Sequence, residues 1–253
     1  MKKKLLNNLK IFLAGHNGMV GQALLKQLKK KGAKKLITAN KKNLNLLDTD
    51  ELRKFYKKNK PDVVINCAGK VGGILANSTF PVQFLNENIF IQLNLINLAY
   101  ENNIKHFINL GSSCIYPKNS KQPIKEKYLL TSPLEKTNEA YALAKIVGLK
   151  ACDFYNQQYN TNYFTLMPCN LYGPNDNFDL KNSHFIPALI KKFIEAKGTN
   201  KKYVEIWGSG TPKREVMNVN DLANGIIFLL NLKINNNTKL LKQIKNDSLI
   251  NIG

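Results

Sequence analysis

Short apolar runs alternate with longer amphipathic segments along most of the chain. Runs of four or five residues predict buried strands, and the longer segments have the spacing of helices with one apolar face. Strands are predicted at Ile11–Ala14, Lys35–Thr38, Val63–Asn66, His106–Leu110, Tyr163–Met167, Val204–Ile206 and Leu249–Ile252. Helices are predicted at Met19–Lys31, Thr49–Asn59, Pro81–Asn102, Glu139–Tyr159, His184–Ala196 and Val219–Leu230. This alternation is typical of an α/β fold with a doubly wound parallel sheet.

The 253 residues are enough for one large domain with a smaller lobe. Residues 116–138, rich in Pro, Lys and Thr, are predicted to form a loop at the active edge of the sheet. The sequence stops directly after the predicted strand Leu249–Ile252. From this we expect a smaller C-terminal lobe over residues 171–253 that is interleaved with the last sheet elements and truncated.

The formal net charge of +21 is carried almost entirely by Lys, since Arg occurs only at Arg53 and Arg214. Because bidentate recognition of bases and phosphates favours Arg, this composition argues against a nucleic-acid partner. The cysteines lack metal-ligand spacing and suit a reducing cytoplasm; they are Cys67, Cys114, Cys152 and Cys169. No stretch reaches the roughly twenty apolar residues that span a membrane. We therefore expect a cytoplasmic protein with no metal and no membrane contact.

A glycine-rich segment lies between the first predicted strand and the first predicted helix. It consists of Gly15, His16, Asn17, Gly18, Met19, Val20 and Gly21. Such glycines permit a tight turn and let the backbone approach a pyrophosphate at the positive end of the helix. The segment predicts a dinucleotide site that includes all seven residues. It also predicts that residues 1–170 form a Rossmann-type domain.

The end of the second predicted strand favours one cofactor over the other. Chains that bind NAD usually place an Asp or Glu there for the ribose 2′-hydroxyl. This chain has Thr38-Ala-Asn-Lys41-Lys42 and no acid. Because Lys41 would attract a 2′-phosphate that a carboxylate would repel, NADP is the predicted cofactor.

Three residues are candidates for acid–base chemistry beside this cofactor. Tyr141 and Lys145 are four residues apart in a predicted helix and therefore share a face. An ammonium favours the phenolate, so the pKa of the tyrosine is predicted to fall from about 10 toward neutrality. Ser112 follows the fourth strand, where the sheet would bring it beside Tyr141. Such a Ser–Tyr–Lys set is typical of a carbonyl reductase.

Longer motifs make the chain similar to the extended short-chain dehydrogenase/reductases, and within them to the GDP-L-fucose synthase family. The resemblance is carried by GHNGMVG at 15–21, AGKVGGI at 68–74, GSSCIYPK at 111–118, EAYALAK at 139–145, NLYGPNDNF at 170–178, NSHFIPAL at 182–189 and WGSGTPKRE at 207–215. It implies an enzyme that epimerises GDP-4-keto-6-deoxy-D-mannose at C3 and C5 and reduces C4 with NADPH. It also implies a homodimer, paired through helices 81–102 and 139–159.

The resemblance assigns roles to individual residues. Tyr141 would donate a proton to the C4 oxygen with help from Ser112 and Lys145, while Cys114 and His184 would serve as base and acid in the epimerisations. A thiol and an imidazole have reference pKa values suited to those roles. The nucleotide diphosphate of the GDP-sugar would bind Lys192, Trp207 and Arg214. Cofactor contacts beyond the glycine-rich segment would come from Lys41, Ala68, Gly69, Leu110, Gly111, Ser112, Ser113, Tyr141, Lys145, Pro168, Cys169, Asn170, Leu171 and His184.

The chain also departs from the family's pattern. Asn17 and Lys192 stand where Arg is usual, Cys169 replaces Thr, and about sixty further C-terminal residues of the family are absent. Two other functions stay open. One is another nucleotide-sugar enzyme of the same superfamily, either a 4-epimerase or a 4,6-dehydratase, although dehydratases have an acidic pair where this chain has Ser113 and Cys114. The other is a truncated dinucleotide-binding protein without catalysis.

Overall fold

The structure, a computed structural model, describes residues 6–180, 183–206, 208–234 and 248–253. The strands are β1 (Lys10–Ala14), β2 (Lys35–Ile37), β3 (Val63–Asn66), β4 (His106–Leu110), β5 (Asn162–Pro168), β6 (Asn170–Tyr172), β7 (Val216–Asn218) and β8 (Leu249–Ile252). The helices are α1 (Met19–Lys30), α2 (Thr49–Asn59), α3 (Ile74–Thr79), α4 (Pro81–Glu101), α5 (Glu139–Tyr159), α6 (Phe185–Gly198) and α7 (Val219–Ile234).

Six strands form one parallel sheet in the order β2-β1-β3-β4-β5-β8. The chain winds outward from β1 to β2 and then in the other direction from β3 onward. The predicted doubly wound parallel sheet is therefore confirmed. The strand order reverses between β1 and β3, and ligands of such sheets bind beyond the carboxyl ends of the strands at that point.

Alternate residues of the strands feed two cores. On one face, Leu13, Ile65 and Ile108 pack with α1 and α7. On the other face, Phe12 and Val64 pack with α2, α4 and α5. Because helices cover both faces, the strands read as nearly continuous apolar runs, which is why their positions were predictable.

The predicted strands of this sheet agree with the structure to within one residue at each end. The predicted helices agree to within four residues, the largest difference being the longer C-terminal end of α7. Local signals explain some ends well. Asp48 caps α2 by accepting hydrogen bonds from the backbone N–H groups of Asp50 and Glu51, and Lys60 ends it in the left-handed region at φ 46°.

The predicted strand Val204–Ile206 is wrong, because these residues have no strand partner within the described part of the chain. A strand needs a hydrogen-bonded neighbour, and the smaller sheet of the described residues consists of β6 and β7 alone. The short helix α3 was not predicted, and its Ile74 and Leu75 are exposed rather than forming a buried stripe. No helix among the described residues is long and apolar enough to cross a membrane.

Residues 116–138 form a loop, as predicted, with short 3₁₀ turns at Glu126–Tyr128 and Lys136–Asn138. The loop is fastened to β8. The Tyr116 hydroxyl donates to Asn251 Oδ1 at 2.5 Å, and the backbone N–H of Asn251 donates to Glu126 Oε1 at 3.1 Å. These contacts hold the loop beside the carboxyl ends of β4 and β5.

Candidate active site

Apart from Lys41 and His184, the predicted cofactor residues lie at or just after the carboxyl ends of β1, β3, β4 and β5, which meet at one edge of the sheet. Gly15 has a positive φ of 77°, and a Cβ there would lie 2.5 Å from the backbone nitrogen of Ala68. The turn after β1 therefore touches the turn after β3 backbone to backbone. This contact requires glycine at position 15 and places Ala68 and Gly69 beside the glycine-rich segment.

The glycine-rich segment fits a diphosphate. Gly18 is the N-cap of α1, and a Cβ there would meet only the Gly15 carbonyl oxygen at 3.6 Å, so the approach to the helix end is open. The first N–H groups of α1 have no partner within the helix and point toward this opening. His16 Nδ1 is buried without a hydrogen-bond partner among the described residues. Lys41 is exposed in the turn after β2.

Four of the five predicted catalytic residues come together beyond β4. Lys145 is only 4% exposed, and its Nζ donates to the Leu110 carbonyl at 2.8 Å. The same nitrogen lies 5.5 Å from the centre of the Tyr141 ring. Ser112 caps the 3₁₀ turn at Ser113–Ile115, and its Oγ accepts from the backbone N–H of Cys114 at 3.4 Å. Lys145 is buried, and the other three residues are half-buried at its side. We call Ser112, Cys114, Tyr141 and Lys145 the buried cluster.

Burial controls the charges of this cluster. It raises the pKa of the Cys114 thiol to about 11, against opposing effects from the Ser112 hydroxyl and the Lys145 ammonium. It lowers the pKa of Lys145 to about 8, against the nearby Cys114 and Cys67 thiols, which favour the ammonium. At neutral pH the cluster therefore holds a protonated thiol beside a cation.

The predicted fall in the pKa of Tyr141 is wrong for this structure. Burial raises the pKa of the phenol well above 10, and the neighbouring Cys114 adds to that rise. The Lys145 ammonium, whose Nζ lies 5.5 Å from the centre of the ring, does not offset the effect of burial. Tyr141 is thus held as a neutral phenol, which is the form that can donate a proton.

Two supporting residues lie on α4, where sequence reasoning found none. The Phe84 ring meets the Tyr141 ring edge-on, with centroids 6.2 Å apart. Asn88 accepts from the Lys70 backbone N–H and donates to the Lys70 carbonyl, both at 3.0 Å, which fixes the loop after Gly69. Their four-residue spacing is the signal that was available, because it places both on one helix face.

The remaining predicted residues lie in or beside the segment of residues 170–218. His184 is the exposed N-cap of α6, and its carbonyl accepts from the backbone N–H of Ala188. Lys192 Nζ donates to the Glu205 carbonyl at 2.9 Å, and Arg214 donates to the Lys213 carbonyl. Trp207 lies outside the described residues. We call His184, Lys192 and Arg214 the exposed set, in which His184 and Arg214 are exposed and Lys192 is half-buried.

The junction between the two sheets holds the last predicted cofactor residues. Pro168 ends β5 opposite Ile252, while Asn170 and Leu171 belong to β6. Between them, the backbone N–H of Cys169 donates to the Ile252 carbonyl at 3.3 Å. They therefore lie at the same sheet edge as Leu110 and Gly111. No group of three or more His, Cys, Asp or Glu side chains that could hold a metal occurs in the described ranges.

Comparison with known proteins places this site in context. GDP-L-fucose synthase of Escherichia coli (strain K12) is 48% identical over 223 residues, which cover 88% of this chain and 70% of that protein. GDP-L-colitose synthase of Yersinia pseudotuberculosis is 46% identical over 237 residues, covering 93% of this chain and 75% of that protein. The chain therefore spans about three quarters or less of these relatives' lengths.

A solved structure of a similar enzyme supports the same relationship as these sequence matches. A GDP-D-glycero-L-gluco-heptose synthase from Campylobacter jejuni, determined in the presence of NADPH, superposes with a TM-score of 0.87 at 34% identity. The match covers 98% of this chain and 81% of that one. A model of the NAD dependent epimerase/dehydratase family matches residues 11–241. From these matches and from the glycine-rich segment, Tyr141 and Lys145 at the sheet edge, the chain belongs to the NAD dependent epimerase/dehydratase family.

Proposed function

We propose that this protein makes GDP-L-fucose from GDP-4-keto-6-deoxy-D-mannose by epimerising C3 and C5 and then reducing C4. The observation that carries the proposal is the buried cluster, in which a thiol and a phenol lie beside the same lysine. A simple carbonyl reductase needs the phenol and the lysine but not the thiol. Relatives that are 46–48% identical are named as synthases of GDP-fucose or GDP-colitose, so the 4-epimerase, dehydratase and non-catalytic alternatives are not favoured.

NADPH is the proposed cofactor. The N-terminal end of α1, with Gly18 and Met19, would hold its diphosphate, and Lys41 would pair with the 2′-phosphate, since no acid follows β2. Asn17 contributes no charge there, so Lys41 is the main candidate for this selectivity. When bound, the cofactor supplies the hydride that reduces C4.

For epimerisation, a base removes a proton from C3 or C5 and an acid returns one on the opposite face. The C4 ketone makes both carbons acidic, and the Ser112 and Tyr141 hydroxyls would stabilise the enolate by donating hydrogen bonds to its oxygen. Cys114 is the proposed base, and the neighbouring Lys145 ammonium favours its thiolate. His184 is the proposed acid. It lies at the start of α6, in the segment that also supplies Lys192 and Arg214.

For reduction, Tyr141 donates its proton to the C4 oxygen as the carbonyl becomes an alcohol. The raised pKa keeps the phenol protonated until negative charge develops on that oxygen. Lys145 stabilises the resulting phenolate, and the Leu110 carbonyl holds its Nζ in place at 2.8 Å. Ser112 orients the ketone for both half-reactions.

The substrate's diphosphate is proposed to bind the exposed set through Lys192 and Arg214, together with Trp207. The Arg214 guanidinium can pair with two phosphate oxygens at once, whereas an ammonium acts as a point charge. We assign residues 1–170 to the dinucleotide-binding domain and residues 171–253 to the interleaved substrate lobe. The proposed location is the cytoplasm, which suits four free cysteines.

A homodimer is proposed through α4 and α5. These helices pack against each other and expose Phe90, Leu143 and Phe154 on their outer surfaces. Light scattering should give twice the chain mass. A charged substitution at Phe90 or Phe154 should give the mass of a single chain.

The function is tested by incubating the protein with GDP-4-keto-6-deoxy-D-mannose and NADPH, then with NADH in a parallel reaction. We expect NADPH oxidation, weaker oxidation of NADH, and a product whose NMR couplings are those of GDP-L-fucose. A reduced product that keeps the manno configuration at C3 and C5 would contradict the epimerase half of the proposal. Absence of NADPH oxidation by the folded protein would contradict the whole of it.

A further inference from the structure

A continuous chain of buried amides runs beneath the buried cluster. Asn66 Nδ2, at the end of β3, donates to Asn109 Oδ1 of β4 at 2.9 Å. Asn109 Nδ2 donates to Gln92 Oε1 of α4 at 3.0 Å. Gln92 Nε2 then donates to the Ala144 carbonyl of α5 at 3.0 Å and to the Asn88 carbonyl at 2.8 Å. All three amide side chains are at most 1% exposed.

Both ends of this amide chain touch the proposed active site. At one end, Asn66 Oδ1 accepts from the backbone N–H of Ala68, in the turn that contacts Gly15. At the other end, Ala144 directly precedes Lys145. The chain of amides therefore links the cofactor turn after β3 to the helix that carries Tyr141 and Lys145.

Among the three buried amides, Gln92 lies next to both partners of the Lys145 hydrogen bond. Lys145 Nζ donates to the Leu110 carbonyl, and Gln92 contacts the residue before each of these partners, namely Ala144 and Asn109. A single side-chain amide thus spans the gap between α5 and the end of β4. That gap sets the distance between Lys145 and the Leu110 carbonyl that holds its Nζ.

Gly148 of α5 provides the room for this amide. A Cβ at position 148 would lie 2.6 Å from Gln92 Cδ and 2.9 Å from Asn109 Nδ2. Glycine in a helix interior stabilises the helix less than alanine does, so Gly148 lowers the helix propensity of α5. The glycine is explained by the amide that fills its place. Packing alone would be served equally well by an alanine opposite an apolar side chain.

We propose that Gln92 is a positioning residue for the reaction, whose side-chain amide holds Ala144 and Asn109 together and so keeps the Lys145 ammonium bonded to the Leu110 carbonyl, next to the Tyr141 ring. The inference rests on the proposed function, because it concerns the same proton transfer. It predicts an effect on turnover rather than on binding, since the amide lies below the cluster and contacts neither of the proposed ligand sites directly.

The test uses Gln92→Met, which keeps the length of the side chain but removes every hydrogen bond, and Gly148→Ala, which keeps Gln92 but displaces its amide. Gly198→Ala is the matched control, because a Cβ at that helical glycine meets nothing within 4 Å. Each protein is compared with the wild type in NADPH oxidation, with turnover counted per NADPH-binding site. In both test variants we expect kcat to fall on the order of 10–100-fold, with KM for both ligands within about threefold. The control should match the wild type.

Four outcomes would overturn the inference. The first is a wild-type kcat per binding site in Gln92→Met, even if its Tm is lower, and the second is an unchanged kcat in Gly148→Ala. The third is a rise in KM with constant kcat in either variant. The fourth is failure of both variants to fold, which would make the amide chain purely structural. A wild-type protein without activity is a different result. That result contradicts the proposed function itself and is visible before any variant is made.

Discussion

The buried cluster and the exposed set differ in how their side chains are held. Lys145 is 4% exposed and bonds to a strand end, and Tyr141 packs against Phe84. In the exposed set, His184 and Arg214 lie at the surface, and the Arg214 side chain bonds to the backbone carbonyl of the residue before it. One region is fixed by the main sheet, whereas the other lies in the segment of residues 170–218.

This difference matches two kinds of work. Proton transfer needs groups whose protonation and position are set in advance, and burial beside the sheet supplies both. Recognition of a charged diphosphate needs cations that the ligand can reach from solution, and an Arg guanidinium can pair with two phosphate oxygens at once. We therefore expect substitutions in the buried cluster, and of the proposed acid His184, to change rates. Substitutions of Lys192 and Arg214 in the exposed set should change substrate affinity.

The strongest test of that division is Tyr141→Phe. Loss of the proton donor should lower kcat for reduction about 10²–10⁴-fold while NADPH binding is retained. The matched control is Tyr155→Phe on the same helix, which loses one hydrogen bond to Asn97 and should keep its kcat. Stopped-flow measurement of NADPH oxidation gives the rates, and a Tyr141→Phe rate near that of the wild type would contradict the assigned role.

Cys114→Ser should separate the two half-reactions. A serine hydroxyl is a far weaker base, so deuterium entry at C3 and C5 should fall about 10²–10⁴-fold, with NADPH affinity unchanged. Cys152→Ser is the control, since that buried thiol packs in the core below α4 and α5. Mass spectrometry of the recovered sugar measures the exchange. Joint loss of exchange and NADPH binding would instead make Cys114 structural.

The raised pKa of Cys114 and the lowered pKa of Lys145 predict that the two half-reactions depend on pH in opposite ways. With a thiol pKa of about 11, the thiolate form of Cys114 is scarce at pH 7 and grows about tenfold for each pH unit up to pH 9. Lys145, with a pKa of about 8, loses its proton within the same range. Exchange at subsaturating substrate should thus rise with pH while reduction declines above about pH 8. A constant ratio of exchange to reduction from pH 7 to pH 9 would contradict this picture.

The smallest expected effect belongs to the exposed set. Arg214→Lys should raise KM for the GDP-sugar about tenfold, the value of one charge-assisted hydrogen bond, with little change in kcat. Arg53→Lys is a natural control, because the only other arginine pairs with Asp50 and Glu101. Steady-state kinetics distinguish the two parameters. A fall in kcat at constant KM would show that Arg214 acts on the reaction rate, as the buried cluster does, and would contradict the division between the two regions.

The sequence predicted those parts of the molecule that leave a local pattern. The strands of the main sheet are apolar along their length because both faces are covered, and the glycine-rich segment has a spacing set by backbone contact. The pair β6–β7 was missed, since three residues are too few to show a period. The direction of the Tyr141 pKa was predicted wrongly, because burial depends on the packing of distant segments.

Asn88 and the proposed positioning residue Gln92 were missed for a related reason. They lie in a helix that carries further amides at its surface, such as Gln83 and Asn86, so their own amides read as part of a solvated face. Their roles depend on the residues that the fold places opposite them. Asn88 faces Lys70, and Gln92 faces Asn109 and Ala144. The four-residue spacing of Phe84, Asn88 and Gln92 shows that they share a helix face, but it does not show what lies opposite that face.

The central claim is that one buried cluster both exchanges protons at two carbons and completes a reduction. The most direct measurement runs the wild-type reaction with NADPH in deuterated water and locates deuterium in the product by NMR. We expect deuterium at both C3 and C5 of the reduced sugar, in an amount equal to the NADPH oxidised. A reduced sugar without deuterium at either carbon would contradict the account and leave a simple ketone reductase.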